Sequence, residues 1–319
     1  MTPAVLIIDA DPIVYGAGFA AQSTTYEYIW EDEQGELHQR IWDSGTEALQ
    51  FFRENKDLTV LSKESRVEAK DASFARQCAK TQIASIISEA RTELKVPSMN
   101  VEMYLSGPDN FRYKIATIAP YKGDRPPPPV HYQTVRDYLT HRWAAMVVTG
   151  IEADDRVSIR CRELAADRTL FVLATIDKDL DQVPGLHYDY KNHVFYTVDE
   201  WDAEWMFWRQ CISGDSTDNI PGCYKIGEGK AVKLLETWVE DFKTDPMENR
   251  EEWRRYVWQR IVSLYVTTMV KYPDRYPKGM TAEAAALETA RLVFMQHYEG
   301  QLWNSPGVPY GDLSSLAAD

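Results

Sequence analysis

Cysteine is scarce in this chain of 319 residues, which contains four of them. No two cysteines form a CxxC pair, so their spacing does not indicate a zinc or redox motif. Four are also too few for the disulfide framework of a small secreted protein. We therefore expect free thiols and a cytoplasmic location. The four residues are Cys78, Cys161, Cys211 and Cys223.

Long apolar runs are missing as well. No run approaches the roughly 20 residues that a membrane-spanning helix needs. The apolar residues near the start of the sequence reach Asp9 at once and follow no basic segment, so we do not expect a signal peptide. The sequence thus predicts a protein without a membrane partner.

Basic residues are in the minority, with 35 Lys and Arg against 49 Asp and Glu and a net charge of −14. Such an excess usually argues against a nucleic-acid partner. The argument fails where the acids line a metal site, because bound cations offset the charge of the site. Since 44% hydrophobic and 26% charged residues are ordinary for a soluble globular protein, the motifs have to decide the function.

Strand and helix patterns alternate over residues 1–200. Short apolar runs at Ala4–Ile8, Val101–Leu105 and Thr169–Thr175 are typical of buried parallel strands, and segments with helical periodicity separate them. This alternation predicts an α/β fold with a parallel sheet flanked by helices. Residues 201–319 carry helical patterns and predict a second, helical region.

A segment of alternating aromatic residues, Thr24–Trp42, predicts a β-hairpin. Its acidic turn contains Gly35, which favours chain reversal. We expect Tyr26, Tyr28 and Trp30 to pack onto the core of the protein. The pattern indicates no function for this hairpin.

Eight carboxylates follow predicted strands or lie in a predicted turn. In open α/β sheets, ligands bind beyond the carboxyl ends of the strands, so we expect these acids to converge on one cleft. Each alone has a simpler reading, as an exposed acid at a strand end or as a helix cap. Together they would repel one another unless cations neutralised them, and oxygen-rich sites select Mg²⁺ or Mn²⁺. The eight are Asp9, Glu152, Asp154, Asp155, Asp177, Asp179, Asp215 and Asp218.

A basic and aromatic stretch, Phe111–Arg125, precedes a run of four prolines. Lys and Arg neutralise phosphates, and aromatic rings can stack on a terminal base. The stretch could instead be a solvated loop whose charges keep it soluble. Its position directly after a predicted strand favours a function for Arg112, Tyr121, Lys122 and Arg125.

A loop rich in glycine covers Gly214–Gly222 and continues into Ile226–Ala231. It lacks the GxxxxGK[ST] pattern of a P-loop, because Tyr224 stands where a glycine is required. Glycines that lead into a helix can expose backbone N–H groups to a DNA phosphate. A plain connection between two helices is the alternative, but it leaves the two aspartates of the loop unexplained. The candidate DNA-binding residues are Gly222, Gly227, Gly229 and Lys230.

The order of these motifs resembles that of the 5′-nuclease superfamily. This group includes flap endonucleases, the 5′-nuclease domain of bacterial DNA polymerase I and phage 5′→3′ exonucleases. The resemblance spans residues 4–240, and the Glu-Ala-Asp-Asp and Gly-Asp-x-x-Asp-Asn-Ile blocks are its most specific parts. Its size without an attached polymerase is similar to that of the phage members.

The resemblance implies a PIN-like catalytic domain over residues 1–200 and a helical DNA-binding region over residues 201–319. Within the latter, a helix–three-turn–helix element would cover about residues 205–238 and could bind K⁺ between its carbonyl groups and a DNA phosphate. Asp9, Glu152, Asp154 and Asp155 would hold a first metal ion. Asp177, Asp179, Asp215 and Asp218 would lie nearer a second.

The resemblance also assigns roles to the basic stretch. Lys122 and Arg112 would hold the scissile phosphate, Arg125 an adjacent phosphate, and Tyr121 would stack on a base. The family commonly has an Asp at the end of the strand before the Phe-Arg pair, where this chain has Ser106. Either Asp109 replaces that acid through the turn, or a water molecule does.

The implied function is a Mg²⁺-dependent 5′→3′ exonuclease and structure-specific flap endonuclease, with Mn²⁺ as a possible substitute. Its substrates would be duplex 5′ DNA ends and 5′ flaps, with RNA/DNA hybrids as a further option. The resemblance to phage members implies a monomer that acts in the cytoplasm of the host. The alternatives are a DNA-junction-binding protein of the same fold without catalysis, and a PIN-type ribonuclease.

Overall fold

The structure, a computed structural model, describes residues 3–123 and 125–317. The strands in this part of the chain are β1 (Ala4–Asp9), β2 (Gln22–Glu31), β3 (Leu37–Trp42), β4 (Thr59–Ala69), β5 (Met99–Ser106), β6 (Met146–Val148), β7 (Phe171–Thr175), β8 (Gly185–Asp189), β9 (Val194–Val198), β10 (Gly214–Asp215), β11 (Ile220–Pro221), β12 (Gln301–Leu302) and β13 (Gly311–Asp312).

The helices are α1 (Asp11–Ala20), α2 (Gly45–Glu54), α3 (Ala72–Leu94), α4 (Arg112–Ile115), α5 (Tyr132–Trp143), α6 (Ala153–Ala166), α7 (Glu200–Ser213), α8 (Glu228–Asp241), α9 (Arg250–Lys271) and α10 (Ala282–Val293). Short 3₁₀ turns cover Lys178–Gln182, Pro273–Arg275 and Leu313–Ala317. No helix among the described residues is both long enough and apolar enough to cross a membrane.

The described residues form two compact units. The first contains the chain up to Pro12, Ile86–Pro127 and the part from Ala144 onward, and the second contains Ile13–Ser85 and Pro128–Trp143. Residues on both sides of position 200 therefore contribute to the first unit. The domain boundary at residue 200 stays a prediction.

The first unit is built on a six-stranded sheet with the order β6-β5-β1-β7-β8-β9. All neighbours are parallel except β8 and β9, which are antiparallel. Every residue of β1 is buried, as expected for a central strand covered on both faces. The predicted α/β class and parallel sheet are confirmed. Since parallel strands end at one edge, the segments that follow β1, β5, β6 and β7 begin along the same edge.

Helices α7–α10 form a second hydrophobic core of the first unit. One face of α9 shows why, because Trp253, Val257, Ile261 and Tyr265 recur every four residues and are fully buried. The hydroxyl of Tyr265 donates a hydrogen bond to Thr289 on α10 at 2.9 Å. Besides these helices, the part of the chain after residue 200 contains the two-residue ladders β10–β11 and β12–β13.

The second unit carries a three-stranded antiparallel sheet with the order β3-β2-β4. The predicted hairpin corresponds to β2 and β3. The expectation that its aromatic residues pack onto the main core is wrong for Tyr28 and Trp30, which form a small separate core with Trp42 and Ala48 of α2. Strand β4 was not predicted, because it is exposed along nearly its whole length and its polar residues hide the alternation.

Candidate metal centre

Carboxylates from separate segments surround the end of β1. Asp9 is the last residue of that strand and is only 1% exposed. One of its oxygens, Oδ2, accepts a hydrogen bond from Thr175 at the end of β7, at 3.2 Å. The other, Oδ1, is buried and has no hydrogen-bond partner among the described residues. A buried carboxylate oxygen without a donor is the environment that a bound cation would satisfy.

The electrostatic environment of this group shows how crowded it is. Burial raises the pKa of Asp9 well above its usual value, and the charges of Asp11 and Asp177 raise it further. Burial likewise raises the pKa of Asp154, in the first turn of α6, with Asp9 and Asp177 adding to the effect. These acids disfavour ionisation of one another, and a divalent cation between them would reverse that effect.

A second group of acids adjoins the first. Burial raises the pKa of Asp179 to about 9, and a hydrogen bond with Asp215 contributes to the shift. Although burial raises the pKa of Asp215, hydrogen bonds from Asp179 and from the backbone N–H of Thr217 lower it overall. The contact between the two carboxyl groups therefore favours the protonated form of Asp179 and the ionised form of Asp215. Asp177 connects the two groups, since burial and the charges of Asp218 and Asp215 raise its pKa.

The basic stretch supplies cations to these acids. The ammonium group of Lys122 contacts Glu152 and lies 3.5 Å from Oδ2 of Asp218. Arg125 donates a hydrogen bond to Oδ1 of Asp218 at 2.7 Å. Although burial lowers the pKa of Lys122, the carboxylates of Glu152 and Asp218 raise it to about 12 overall. The predicted cations are therefore charged and adjacent to the predicted metal ligands.

Tyr121 lies in the same cluster, and its stacking on a base stays a prediction. Its side chain is buried, and its hydroxyl donates to Oε2 of Glu152 at 2.7 Å and to Oδ2 of Asp218 at 2.8 Å. Its ring meets the edge of Tyr113, which is 55% exposed. Tyr113 was not among the predicted site residues, because in the Phe-Arg motif only the preceding residue, Arg112, was recognised.

Arg112 and Asp155 form a buried ion pair. The guanidinium is 2% exposed and donates to Asp155 through Nη1 at 2.5 Å and through Nη2 at 3.0 Å. It also donates to the backbone carbonyls of Leu292 and Phe294, each at 2.8 Å. Each nitrogen of the guanidinium thus donates to a protein group, and a contact of Arg112 with the scissile phosphate stays a prediction.

The same pair engages both oxygens of Asp155, one of the predicted metal ligands. Besides Arg112, its two oxygens accept hydrogen bonds from the backbone N–H groups of Glu152 at 3.1 Å and Gln296 at 3.2 Å. Glu152 and Asp155 form a capping box at the start of α6. Asp155 thus stabilises the start of α6 and holds the backbone of Glu152 in place.

Two residues near the sheet edge matter beyond the predicted set. Asp11, at the start of α1, accepts a hydrogen bond from the backbone N–H of Ser106 at 2.9 Å and raises the pKa of Asp9. Gln210 on α7 donates to Asp179 at 2.8 Å. Ser106 itself accepts from the N–H of Ala153 at 3.0 Å, whereas Asp109 is exposed in the loop after β5. In the sequence, the position of Asp11 two residues after Asp9 was the signal that could have identified it as a further residue of the acid cluster.

The glycine loop has two parts with different demands. A Cβ on Gly222 would lie 2.3 Å from the backbone nitrogen of Gly214, so β10 and β11 can approach only because this residue is glycine. Gly227 and Gly229, at the start of α8, have open space where a Cβ would stand, and Lys230 is exposed beside them. This helix start is therefore open to an approaching ligand.

A different acidic group lies on the turn between β2 and β3. Ligand atoms of Asp32, Glu36 and His38 lie within 4.8 Å of one another. Asp32 already accepts hydrogen bonds from the backbone N–H groups of Gln34 and Glu36, each at 2.9 Å, and pairs with His38 at 2.8 Å. These three residues belong to none of the motifs described above.

No protein-family model matches the chain. DNA polymerase I of Rhizobium leguminosarum is 33% identical over 98 residues, which cover 28% of this chain and 10% of that protein. The thermostable DNA polymerase I of Thermus aquaticus is 31% identical over 106 residues, or 30% and 12% of the two chains. A 5′-3′ exonuclease of Buchnera aphidicola subsp. Baizongia pistaciae is 26% identical over 164 residues, or 46% and 52%. These relatives confirm the resemblance to the 5′-nuclease superfamily.

The chain spans about a tenth of the length of the polymerases and about half of the exonuclease. Among solved structures, a mutant of the 5′-exonuclease of bacteriophage T5 aligns with 92% of this chain and 85% of its own, at 13% identity and a TM-score of 0.44. A structure of the T5 enzyme with zinc ions aligns with 92% and 99%, at 14% identity and a TM-score of 0.43.

We predict that Asp155→Asn destabilises the fold. It would leave the Arg112 guanidinium buried without its partner, which typically costs about 3–5 kcal/mol. The matched variant Asp177→Asn removes an acid that its neighbours already disfavour, so the metal-free protein should be unchanged or more stable. Urea unfolding without metal measures both, and equal stabilities of the two variants would contradict the structural role of Asp155.

We also predict that divalent metal binding releases a proton. Without metal, the pKa of Asp179 is about 9, so the carboxyl group is protonated near neutral pH and must lose its proton to bind a cation. The affinity for Mn²⁺ should therefore rise with pH up to about pH 9. Titration calorimetry in buffers of different ionisation enthalpy counts the protons. The Asp179→Asn variant should release fewer, and a pH-independent affinity of the unaltered protein would refute the prediction.

Proposed function

We propose that this relative of the 5′ nucleases is a divalent-metal-dependent nuclease that acts on DNA from 5′ ends and at 5′ flaps. The observation that carries the proposal is the meeting of acids from β1, α6, the segment after β7 and the glycine loop, with Lys122 and Arg125 among them. Acids alone would suit any cation site. The cations beside them favour a phosphate ligand.

The residues fit two hard divalent ions, Mg²⁺ or Mn²⁺, because their donors are all carboxylate oxygens. Asp9, Asp154 and Glu152 would hold one ion, and Asp177, Asp179, Asp215 and Asp218 would surround the other. When bound, such ions supply a hydroxide nucleophile and stabilise the leaving oxygen. Asp155 is left out of this set, because Arg112 and two backbone N–H groups occupy its oxygens.

Lys122 is the candidate catalytic cation. It now contacts Glu152, which would turn to the metal once an ion is bound. The ammonium group would then be released to the substrate phosphate and would offset charge on its non-bridging oxygens. Arg125, which is partly exposed and pairs with Asp218, would bind a neighbouring phosphate in the same way.

Arg112, Asp155 and Tyr121 would support the site without contacting the substrate. The hydroxyl of Tyr121 fixes Glu152 and Asp218, while Asp155 holds the backbone N–H of Glu152. These three are positioning residues. They determine where Glu152 stands before any metal or substrate arrives, which lowers the cost of assembling the reactive geometry.

The start of α8 would bind the duplex away from the cut. The space where a Cβ would stand on Gly227 and Gly229 is open, and Lys230 adds a positive charge. A phosphate could therefore approach the backbone N–H groups of this helix start. A K⁺ ion held by loop carbonyls would suit the same position and follows from the family resemblance. Contacts of this kind bind the phosphate backbone without reading its sequence.

The proposal predicts that the protein with Mg²⁺ cleaves a 5′ flap and a duplex 5′ end, and that Asp177→Asn abolishes cleavage but keeps binding. Removing this acid takes away a metal ligand while lowering repulsion of the phosphates. A gel assay with DNA duplex, 5′ flap and RNA/DNA hybrid, with and without Mg²⁺, measures the activity. Binding without cleavage by the unaltered protein would instead support a junction-binding protein, and preference for RNA a ribonuclease.

Lys122→Ala should lower kcat about 100-fold, the scale of one lost electrostatic donor in the transition state. The affinity for DNA should change much less. Lys114→Ala, which removes an exposed cation eight residues earlier, is the control and should keep kcat. Single-turnover and binding measurements separate the two effects. A loss confined to Kd would show that Lys122 only positions the DNA.

Gly229→Val should weaken duplex binding while cleavage of short single strands continues. The new side chain has open space within the protein, so only an approaching phosphate would meet it. Gly16→Val on α1 is the control, because Gly16 also has no atom within 4 Å of a Cβ. Duplex binding by the Gly229 variant equal to that of the control would rule out a phosphate contact at this position.

A further inference from the structure

A cavity of about 220 Å³ lies between α7, the start of α9 and the segment 303–310 of the first unit. None of the eight predicted metal-site acids lines it. We propose that this cavity binds a phosphate monoester with an aromatic base, a deoxynucleoside 5′-monophosphate. The volume suits one small molecule rather than a polymer.

The first argument is an arginine without an ionic partner. Arg162 lines the cavity, and its Nε is buried without a hydrogen-bond partner in the described part of the chain. Its Nη2 reaches only the backbone carbonyl of Gln182, at 3.4 Å. No acid among the described residues lies within ion-pair distance of this guanidinium. A largely buried guanidinium without an acid favours an anion from outside.

The other two arginines of the cavity show the contrast. Arg250 and Arg254 both donate to Glu204, at 2.6 and 3.0 Å. Glu204 also accepts a hydrogen bond from the indole of Trp208 at 3.2 Å, so its oxygens are fully engaged. Glu204 thus pairs with Arg250 and Arg254, and it leaves the charge of Arg162 available to a ligand.

The charges of the lining balance, but they are unevenly paired. The cavity is lined by three arginines and by Glu200, Glu204 and Glu251. Arg250 pairs with Glu200 and Glu204, and Arg254 with Glu204 and Glu251, whereas Glu200 acts on Arg162 only from beyond ion-pair distance. Burial lowers the pKa of His297, a further lining residue, and the charges of Arg162, Arg254 and Arg250 lower it to about 3, so His297 does not compete as a cation at physiological pH.

The second argument is the aromatic wall. The cavity is lined by Phe207, Trp208, Phe294, Trp303 and Tyr310. Phe294 and Tyr310 lie nearly parallel, with ring centroids 6.0 Å apart and an interplanar angle of 21°. Aromatic faces of this kind bind a planar base by stacking, irrespective of its identity. Four of these rings also pack in the hydrophobic core of the helical region, whereas Tyr310 is 44% exposed and is the ring most open to a base.

The choice of a nucleotide rests on the proposed function, because a 5′→3′ exonuclease releases 5′-mononucleotides. The anion-binding character of the cavity stands on Arg162 alone and is independent of that function. The occupant would contact a part of the molecule that connects to the metal centre, since Gln182 donates to Gln210 at 2.6 Å and Gln210 to Asp179 at 2.8 Å.

The test is titration calorimetry of the full chain in EDTA with deoxyadenosine monophosphate, deoxyadenosine and inorganic phosphate. We expect the monophosphate to bind at least 10-fold more tightly than either fragment. Arg162→Gln should weaken its binding at least 10-fold, whereas Arg168→Gln, an exposed arginine beyond α6, should not change it. Arg162→Lys keeps the charge without the forked donors and should lose about threefold.

Each other outcome overturns the proposal. If inorganic phosphate binds as tightly as the nucleotide, the base makes no contribution to binding and the aromatic wall is not a base site. Nucleotide binding that survives Arg162→Gln would place it elsewhere. If Arg162→Gln does not fold by circular dichroism, Arg162→Lys decides, and unchanged affinity in it refutes the site. The measurement uses no metal and no cleavage, so its failure leaves the nuclease proposal intact, and the reverse also holds.

Discussion

Repulsion between buried carboxylates is the constraint on which the rest of this structure depends. The end of β1 and the segment after β7 bring Asp9 and Asp177 to one sheet edge, and α6 adds Asp154. Such a cluster opposes folding without cations, because each acid disfavours ionisation of the next. The chain compensates with the charges of Lys122 and Arg125 next to Asp218. At Asp179 it compensates by protonation, which a hydrogen bond with Asp215 favours.

The same repulsion explains why the acid cluster needs so many supporting contacts. A flexible acid cluster would spread apart to relieve its charge. The buried pair of Arg112 and Asp155 opposes this on the side of α6, and the Tyr121 hydroxyl opposes it between Glu152 and Asp218. These contacts hold the acids near one another without a cation between them.

The sequence predicted the parallel sheet well, because buried parallel strands are short apolar runs and acids follow them. It also predicted which elements meet at the site. It could not show that the adjacent and chemically identical acids Asp154 and Asp155 have different surroundings. Asp155 faces Arg112, 43 residues earlier in the chain, and no local pattern contains that contact. Strand β4 was not predicted because nearly all of its residues are exposed, so its sequence shows no alternation of apolar and polar side chains.

The contacts of Arg112 with the carbonyls of Leu292 and Phe294 have a consequence for how this protein can be divided. They join the far end of α10 to the base of the acid cluster. They tie residues 201–319 to the rest of the first unit. A fragment that ended near residue 200 would lose Asp215 and Asp218, and would also leave a buried guanidinium with half of its acceptors. Exchange of this C-terminal region between related proteins would succeed only where the recipient keeps the same backbone turn after its last helix.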